Sequence, residues 1–246
     1  MLDLNQCLNT AKSASKLAGN FILDAQGKDQ QILTNAGRDI KLQLDIDTER
    51  LIKDHISCDS PYPILGEETG SNGDLDGLYW IVDPLDGTSN FFRGIPISCV
   101  SIALMKNTTP ILGVIYDFNH DEIYWGHKES KAYLDDMEVC VSSLSKKSES
   151  TLVTGIPAKS NYSDSEFSEM ISNFQEWKKI RMIGSAAMAA CYVASGKAET
   201  YIEDGIFLWD IAAGAAIVNA AGGLASITNI QTDYRVNAKF TNNIIE

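Results

Sequence analysis

The stretch Ile81-Val82-Asp83-Pro84-Leu85-Asp86-Gly87-Thr88-Ser89-Asn90-Phe91-Phe92 restricts the folds open to this chain more than any other part of it. The apolar run over residues 78–82 predicts a buried strand, and the proline that follows cannot continue its ladder. Such a strand delivers two acids, Asp83 and Asp86, to one edge of a sheet. Pro84 stiffens the turn, and Gly87 lets backbone N–H groups approach a ligand with no Cβ in the way. Thr88 opens a short helix whose free amides and positive dipole end suit a phosphate. Carboxylates for a metal and an amide cradle for a phosphate therefore lie side by side, and an ordinary acidic turn after a strand is the competing reading.

A phosphate-handling site sits awkwardly with the overall charge. Lys plus Arg number 20 against 33 Asp plus Glu, a net charge of −13, so the long-range field repels polyanions and argues against nucleic-acid binding. The basic side chains are scattered, which leaves bound metal ions as the simplest local source of positive charge. Cys7, Cys58, Cys99, Cys140 and Cys191 are odd in number and form no C-x-x-C pair, the pattern of reduced thiols. With no basic-then-apolar leader and no apolar run long enough to span a bilayer, the expectation is a cytoplasmic protein without a membrane partner. Its 246 residues, 44% hydrophobic, suffice for one large domain or two that share an interface.

Along the chain, Leu4, Leu8, Ala11, Ala14, Leu17, Ala18, Phe21 and Ile22 recur at helical spacing behind a possible Asp3 cap, whereas residues 25–38 read as a loop. Ile40, Leu42, Leu44 and Ile46 alternate with polar residues, predicting a half-buried strand that ends near Asp45, with a helix from Asp47 or Thr48 through Ile56. Gly66-Glu67-Glu68 closes a short apolar run just upstream of the Asp83 strand. Asn72, Asp74, Asp76 and Gly77 imitate a calcium loop, but strand formers follow them, so they read as a turn. Residues 97–141 predict an antiparallel meander, with Asp117, His120, Asp121 and Glu122 as solvated residues at a hairpin tip. The serine- and lysine-rich residues 142–150 mark the best internal boundary, giving an N-terminal α+β part over 1–144 and an α/β part over 145–246. The latter holds a helix over 186–194 beginning at Gly184-Ser185-Ala186, a strand over 198–202, and a small-residue helix with Asp210 at its N-cap.

Gly66-Glu67-Glu68, Asp83-Pro84-Leu85-Asp86-Gly87-Thr88 and Trp209-Asp210-x-Ala212-Ala213-Gly214, in that order, resemble the motifs of the inositol monophosphatase family of Mg²⁺-dependent, lithium-sensitive sugar phosphatases. The resemblance implies an α+β fold, a layered αβαβα sandwich with a largely antiparallel N-terminal sheet and a smaller C-terminal α/β part. It implies that Glu67, Asp83, the Leu85 carbonyl, Asp86 and Asp210 hold two or three Mg²⁺ ions. Glu67 would also orient or deprotonate the attacking water, with Asp45 and Thr88 as the pair that helps activate it. Gly87 and Thr88 would hold the phosphate, and Ser185, Ala186, Glu203 and Asp210 would meet the rest of the substrate. Lys41 and Leu42 depart from the family's usual residues before the Asp45 position, and Arg38 is the candidate replacement for a lysine found upstream of it.

The expected function is Mg²⁺-dependent hydrolysis of an inositol or related polyol monophosphate without a phosphoenzyme, by a protein that forms a homodimer. Bisphosphate nucleotidase, fructose-1,6-bisphosphatase and histidinol-phosphatase activities of the same superfamily are the enzymatic alternatives, and a non-catalytic interaction protein is the alternative of a different kind. Ser/His and Cys/His hydrolases are disfavoured because His55, His120 and His127 lie outside the candidate site.

Overall fold

The computed structural model describes residues 2–28, 30–36, 39–156 and 162–245. Asp3 accepts the amides of Asn5 and Gln6 (3.0 and 3.1 Å) and starts α1 (Leu4–Ala25). An antiparallel hairpin, β1 (Ile32–Ala36) and β2 (Asp39–Leu42), feeds α2 (Gln43–Asp59). There follow β3 (Ile64–Gly66), β4 (Gly70–Ser71), β5 (Leu78–Asp86) and the short α3 (Thr88–Phe92). A meander comes next, of β6 (Cys99–Lys106), β7 (Thr109–Asp117), β8 (Glu122–His127), β9 (Ala132–Leu134) and β10 (Met137–Val139). The remainder is β11 (Thr151–Thr154), α4 (Asp164–Phe174), β12 (Lys179–Arg181), α5 (Ala186–Ala194), β13 (Thr200–Phe207), α6 (Leu208–Ala220), β14 (Leu224–Thr228) and β15 (Arg235–Thr241). Beyond the β1–β2 hairpin, one sheet of eight strands runs β10-β9-β8-β7-β6-β5-β3-β4 and a second of five runs β12-β11-β13-β15-β14. No helix among the described residues is long and apolar enough to cross a membrane.

Alternation along β5 creates the layers. Trp80 and Val82 enter a core with Leu8, Ala11 and Ile22 of α1 and Ile52 and Ile56 of α2. Tyr79 and Ile81 enter the other core, which α5 and α6 share with Tyr201, Val236 and Phe240 of the second sheet. A strand covered on both faces reads as an unbroken apolar run. α4 lies beyond the second sheet, where Met170 and Phe174 meet Leu152 and Ile202 across a cleft. The order is thus helices, sheet, helices, sheet, helix, the expected αβαβα sandwich. α5 and α6 are apolar all round because a sheet covers each side. Their small residues permit close approach: a Cβ on Gly214 would overlap Ala190, and one on Gly113 of β7 would overlap the Ala213 backbone.

Several elements differ from the sequence reading. β5 runs on to Asp86: Asp83 pairs with Ser101 and Asp86 with Cys99, so one extra residue bulges at Pro84 and Leu85. A bulge tolerates a residue that has no N–H for the ladder. Residues 32–36 form β1 in place of a loop. β2 stops at Leu42, and Asp45 lies in the first turn of α2, where its carboxylate accepts the Leu42 N–H (2.8 Å) and caps the helix. Leu44, Thr48, Ile52 and Ile56 are then buried on one helical face. Asp210 is the third residue of α6, not its N-cap, and its carboxylate accepts the Phe207 N–H at 3.3 Å. β13 extends to Phe207, and β14 and β15 have no counterpart in the sequence reading. Asp117 is buried, not solvated, and pairs with His120 (2.8 Å). Arg38 lies outside the described residues.

The Gly113 contact is testable by thermal unfolding. Gly113→Ala forces a methyl against the Ala213 backbone, and the expected loss is about 1–3 kcal/mol, seen as a Tm lowered by several degrees; an unchanged Tm shows that α6 is not pressed onto β7.

Candidate active site

A cavity of about 470 Å³ opens where the end of β5, the start of α5 and the β13–α6 junction meet. Glu67, Asp83, Leu85, Asp86, Gly87, Thr88, Ser185, Ala186, Glu203 and Asp210 all line it, and Asp45 does not. One carboxylate oxygen from each of Glu67, Asp83 and Asp210 lies within 4.8 Å of the others. Asp86 is not in this triad; its Oδ2 accepts from the Ser185 hydroxyl and from the Ala187 amide (2.9 Å). The same Ser185 hydroxyl accepts the Met188 amide (3.1 Å) and caps α5, so Asp86 ties the end of β5 to the first turn of a helix in the other half.

The bulge determines the local backbone. The Leu85 amide donates to Asp83 Oδ1 (3.0 Å), and the Leu85 carbonyl accepts the Thr88 hydroxyl (2.9 Å). The Thr88 hydroxyl proton is thus directed to the Leu85 carbonyl. Gly87 has φ of 85°, and a Cβ there would lie 2.8 Å from the Ile97 carbonyl, so the turn into α3 excludes a side chain. The first-turn amides of a helix have no intrahelical acceptor, which leaves them available to an anion.

Two features lie beyond the reach of the sequence reading. Glu49 of α2, fully buried, accepts the amides of Glu68 (2.7 Å) and Thr69 (3.0 Å) and pairs with Lys53 (3.0 Å). Lys53 in turn donates to the Gly70 carbonyl (2.7 Å), so the pair clamps the loop that carries Glu67. Gly155 faces Glu203, whose carboxylate a Cβ at 155 would overlap. Tyr201 donates to that carboxylate at 3.0 Å. Helical spacing from Glu49 to Lys53 is visible in the chain, but its target, a loop about twenty residues away in sequence, is not.

Burial, and next the charge of Glu68, pushes the Glu67 carboxyl up to about 8, with Lys41 opposing. Asp83 and Asp210 are held well above the usual carboxylate range, by burial first and then by their acidic neighbours. Burial raises Glu203 to about 7. Among the described residues no lysine or arginine forms an ion pair with Glu67, Asp83, Asp86 or Asp210. Clustered carboxylates without an ammonium or guanidinium partner need protons or a metal cation, and an all-oxygen donor set fits a hard divalent ion.

The model of the inositol monophosphatase family matches residues 3–240 of this chain. The chain belongs to that family. It is 35% identical over 226 residues to a Nus factor SuhB of Pasteurella multocida, covering 90% of this chain and 85% of that one. It is 36% identical over 229 residues to an inositol-1-monophosphatase of Synechocystis, covering 91% and 79%. The solved inositol monophosphatase of Anabaena superimposes with a TM-score of 0.83 at 31% identity, covering 98% of this chain and 92% of that one.

Carboxyls raised in the folded state bind protons that the unfolded chain has already released, so their contribution is complete below the ordinary value of 4.5 and disappears as pH rises through about 8. The metal-free protein is expected to lose stability between about pH 5 and pH 8, and millimolar Mg²⁺ to reduce that loss. Melting curves in chelator and in MgCl₂ across this range check it, and identical pH slopes in both refute it. For the clamp, Glu49→Ala removes the counter-charge of Lys53, which keeps its hydrogen bonds to Thr69 and Gly70, and the acceptor of two amides, with an expected cost of about 3–5 kcal/mol in denaturant unfolding.

Proposed function

We propose that the protein is a Mg²⁺-dependent phosphatase that hydrolyses an inositol or related polyol monophosphate without a phosphoenzyme. The observation that carries this reading is the Glu67, Asp83 and Asp210 cluster set in one cavity with the Gly87–Thr88 turn and Glu203. Glu67, Asp83 and Asp210, with Asp86 and the Leu85 carbonyl, would hold the metal. Mg²⁺ bound there supplies Lewis-acid charge that offsets that of the phosphate and makes water a better nucleophile. Glu67 orients the attacking water and takes its proton, a role suited to a carboxylate whose proton affinity is raised by burial. Amides of Gly87 and Thr88 hold phosphate oxygens. Glu203 accepts hydrogen bonds from substrate hydroxyls, while Ser185 and Ala186 form the adjoining wall. Asp45 fixes the start of α2, and its charge helps raise the proton affinity of Glu67.

The sequence likeness to a protein named as a Nus factor supports a second reading, a non-catalytic interaction protein that keeps the fold. The retained acidic cluster favours the enzyme. Phosphate release from inositol 1-phosphate decides between them: the expected result is turnover with Mg²⁺, none in chelator, inhibition by Li⁺ at tens of millimolar, an order set by the weak binding of such sites, and a fall in kcat of about 10²–10⁴-fold in Glu67→Gln. Absence of Mg²⁺-dependent release from any polyol monophosphate overturns the enzymatic reading.

A further inference from the structure

We infer that Arg235 recognises a second anionic group, phosphate or carboxylate, on the alcohol half of the substrate. The inference rests on the phosphatase reading and specifies the far end of the substrate: a carboxylate there keeps it a monophosphate, a phosphate makes it a bisphosphate. Among the described residues lining the cavity, Arg235 is the single lysine or arginine, facing a lining that carries Glu67, Asp83, Asp86, Glu203 and Asp210. It begins β15 and pairs in register with Phe207, the last residue of β13, directly before α6 and Asp210. The guanidinium carbon lies 5.6 Å from the centre of the Phe207 ring, which stacks on Trp209 at 4.7 Å and 9°. An arginine resting on stacked aromatic rings is restrained before any ligand arrives.

The present partner of this arginine is weak. Nε is buried and, although 3.3 Å from Asp233, whose side chain is 53% exposed, it makes no hydrogen bond with it. Neither Nη forms a hydrogen bond with any described residue. Phe207 touches both groups: its amide donates to Asp210 and its ring carries Arg235. The acidic cluster, Phe207 and Arg235 line one cavity, so a substrate whose scissile phosphate sits at the cluster can present its other end to the guanidinium. Arginine binds phosphate and carboxylate through paired N–H groups, and such charge-assisted contacts are about twice as strong as neutral ones, so a neutral hydroxyl there gains less.

Three probes separate the possibilities: glucitol 6-phosphate, gluconate 6-phosphate and glucitol 1,6-bisphosphate share a carbon chain and differ at the far end in a hydroxyl, a carboxylate or a phosphate. With Mg²⁺, kcat/KM for at least one of the doubly anionic probes is expected to exceed that of glucitol 6-phosphate by about tenfold or more, and the preferred probe identifies the group. Arg235→Met keeps an apolar stem over Phe207 and is expected to collapse that ratio, chiefly through KM, while Arg235→Lys retains part of it. Equal values for the three probes, a ratio unmoved in Arg235→Met, or a uniform fall for all three overturns the assignment to Arg235. If neither these probes nor inositol 1-phosphate is hydrolysed, the phosphatase reading itself fails, and the inference falls with it.

Discussion

Glu67, Asp83 and Asp210 bring acidic groups together at the wall of a cavity, Asp83 buried and the other two partly so, where water screens them less than at an open surface. No arrangement of three carboxylates is stable there by itself, so each is fixed by a different part of the structure. Asp83 stands at the bulge of β5, and its own turn supplies the Leu85 amide. Glu67 is carried by a loop that Glu49 and Lys53 hold from the first helical layer. Asp210 is anchored through Phe207 at the start of a helix from the central layer. Three layers thus converge on one point, and the rigidity of each resists the repulsion that would push the acids apart.

That convergence accounts for the position of the cavity. The core between the two sheets is continuous, with α5 and α6 packed against both. The cavity opens at the edge of this shared layer, and each half contributes side chains to it. Asp86 bonds directly across the junction, to Ser185 and Ala187. Small residues in the central helices are therefore part of the site, because they determine how closely the two halves approach.

Much of this was legible in the chain. The acidic turn, the small-residue helices and the Asp210 motif are local patterns, and the structure brings the residues they single out, Asp45 apart, to one cavity. What was not legible depends on competition between patterns. Ile40 to Ile46 alternate as a strand would, yet Leu44, Thr48, Ile52 and Ile56 also fit one face of a helix, and Asp45 decides for the helix by capping it. Pro84 signals the end of a ladder, but the bulge lets β5 pass through it. Val236, Ala238 and Phe240 alternate inward on β15, a period-2 signal in a stretch with no motif to draw notice. Glu49 resembles any surface glutamate until its distant loop is in place.

The Gly155–Glu203 contact has an evolutionary corollary. Here the Glu203 carboxylate occupies a volume that every other amino acid at 155 would claim for its first side-chain carbon. Residue 155 and residue 203 are therefore not free to drift independently: a lineage that acquires alanine at the first position must shorten or redirect the second. Divergence at this wall of the cavity would then be recorded as paired changes, one within β13 and one just past the end of β11, with the acidic motifs left untouched.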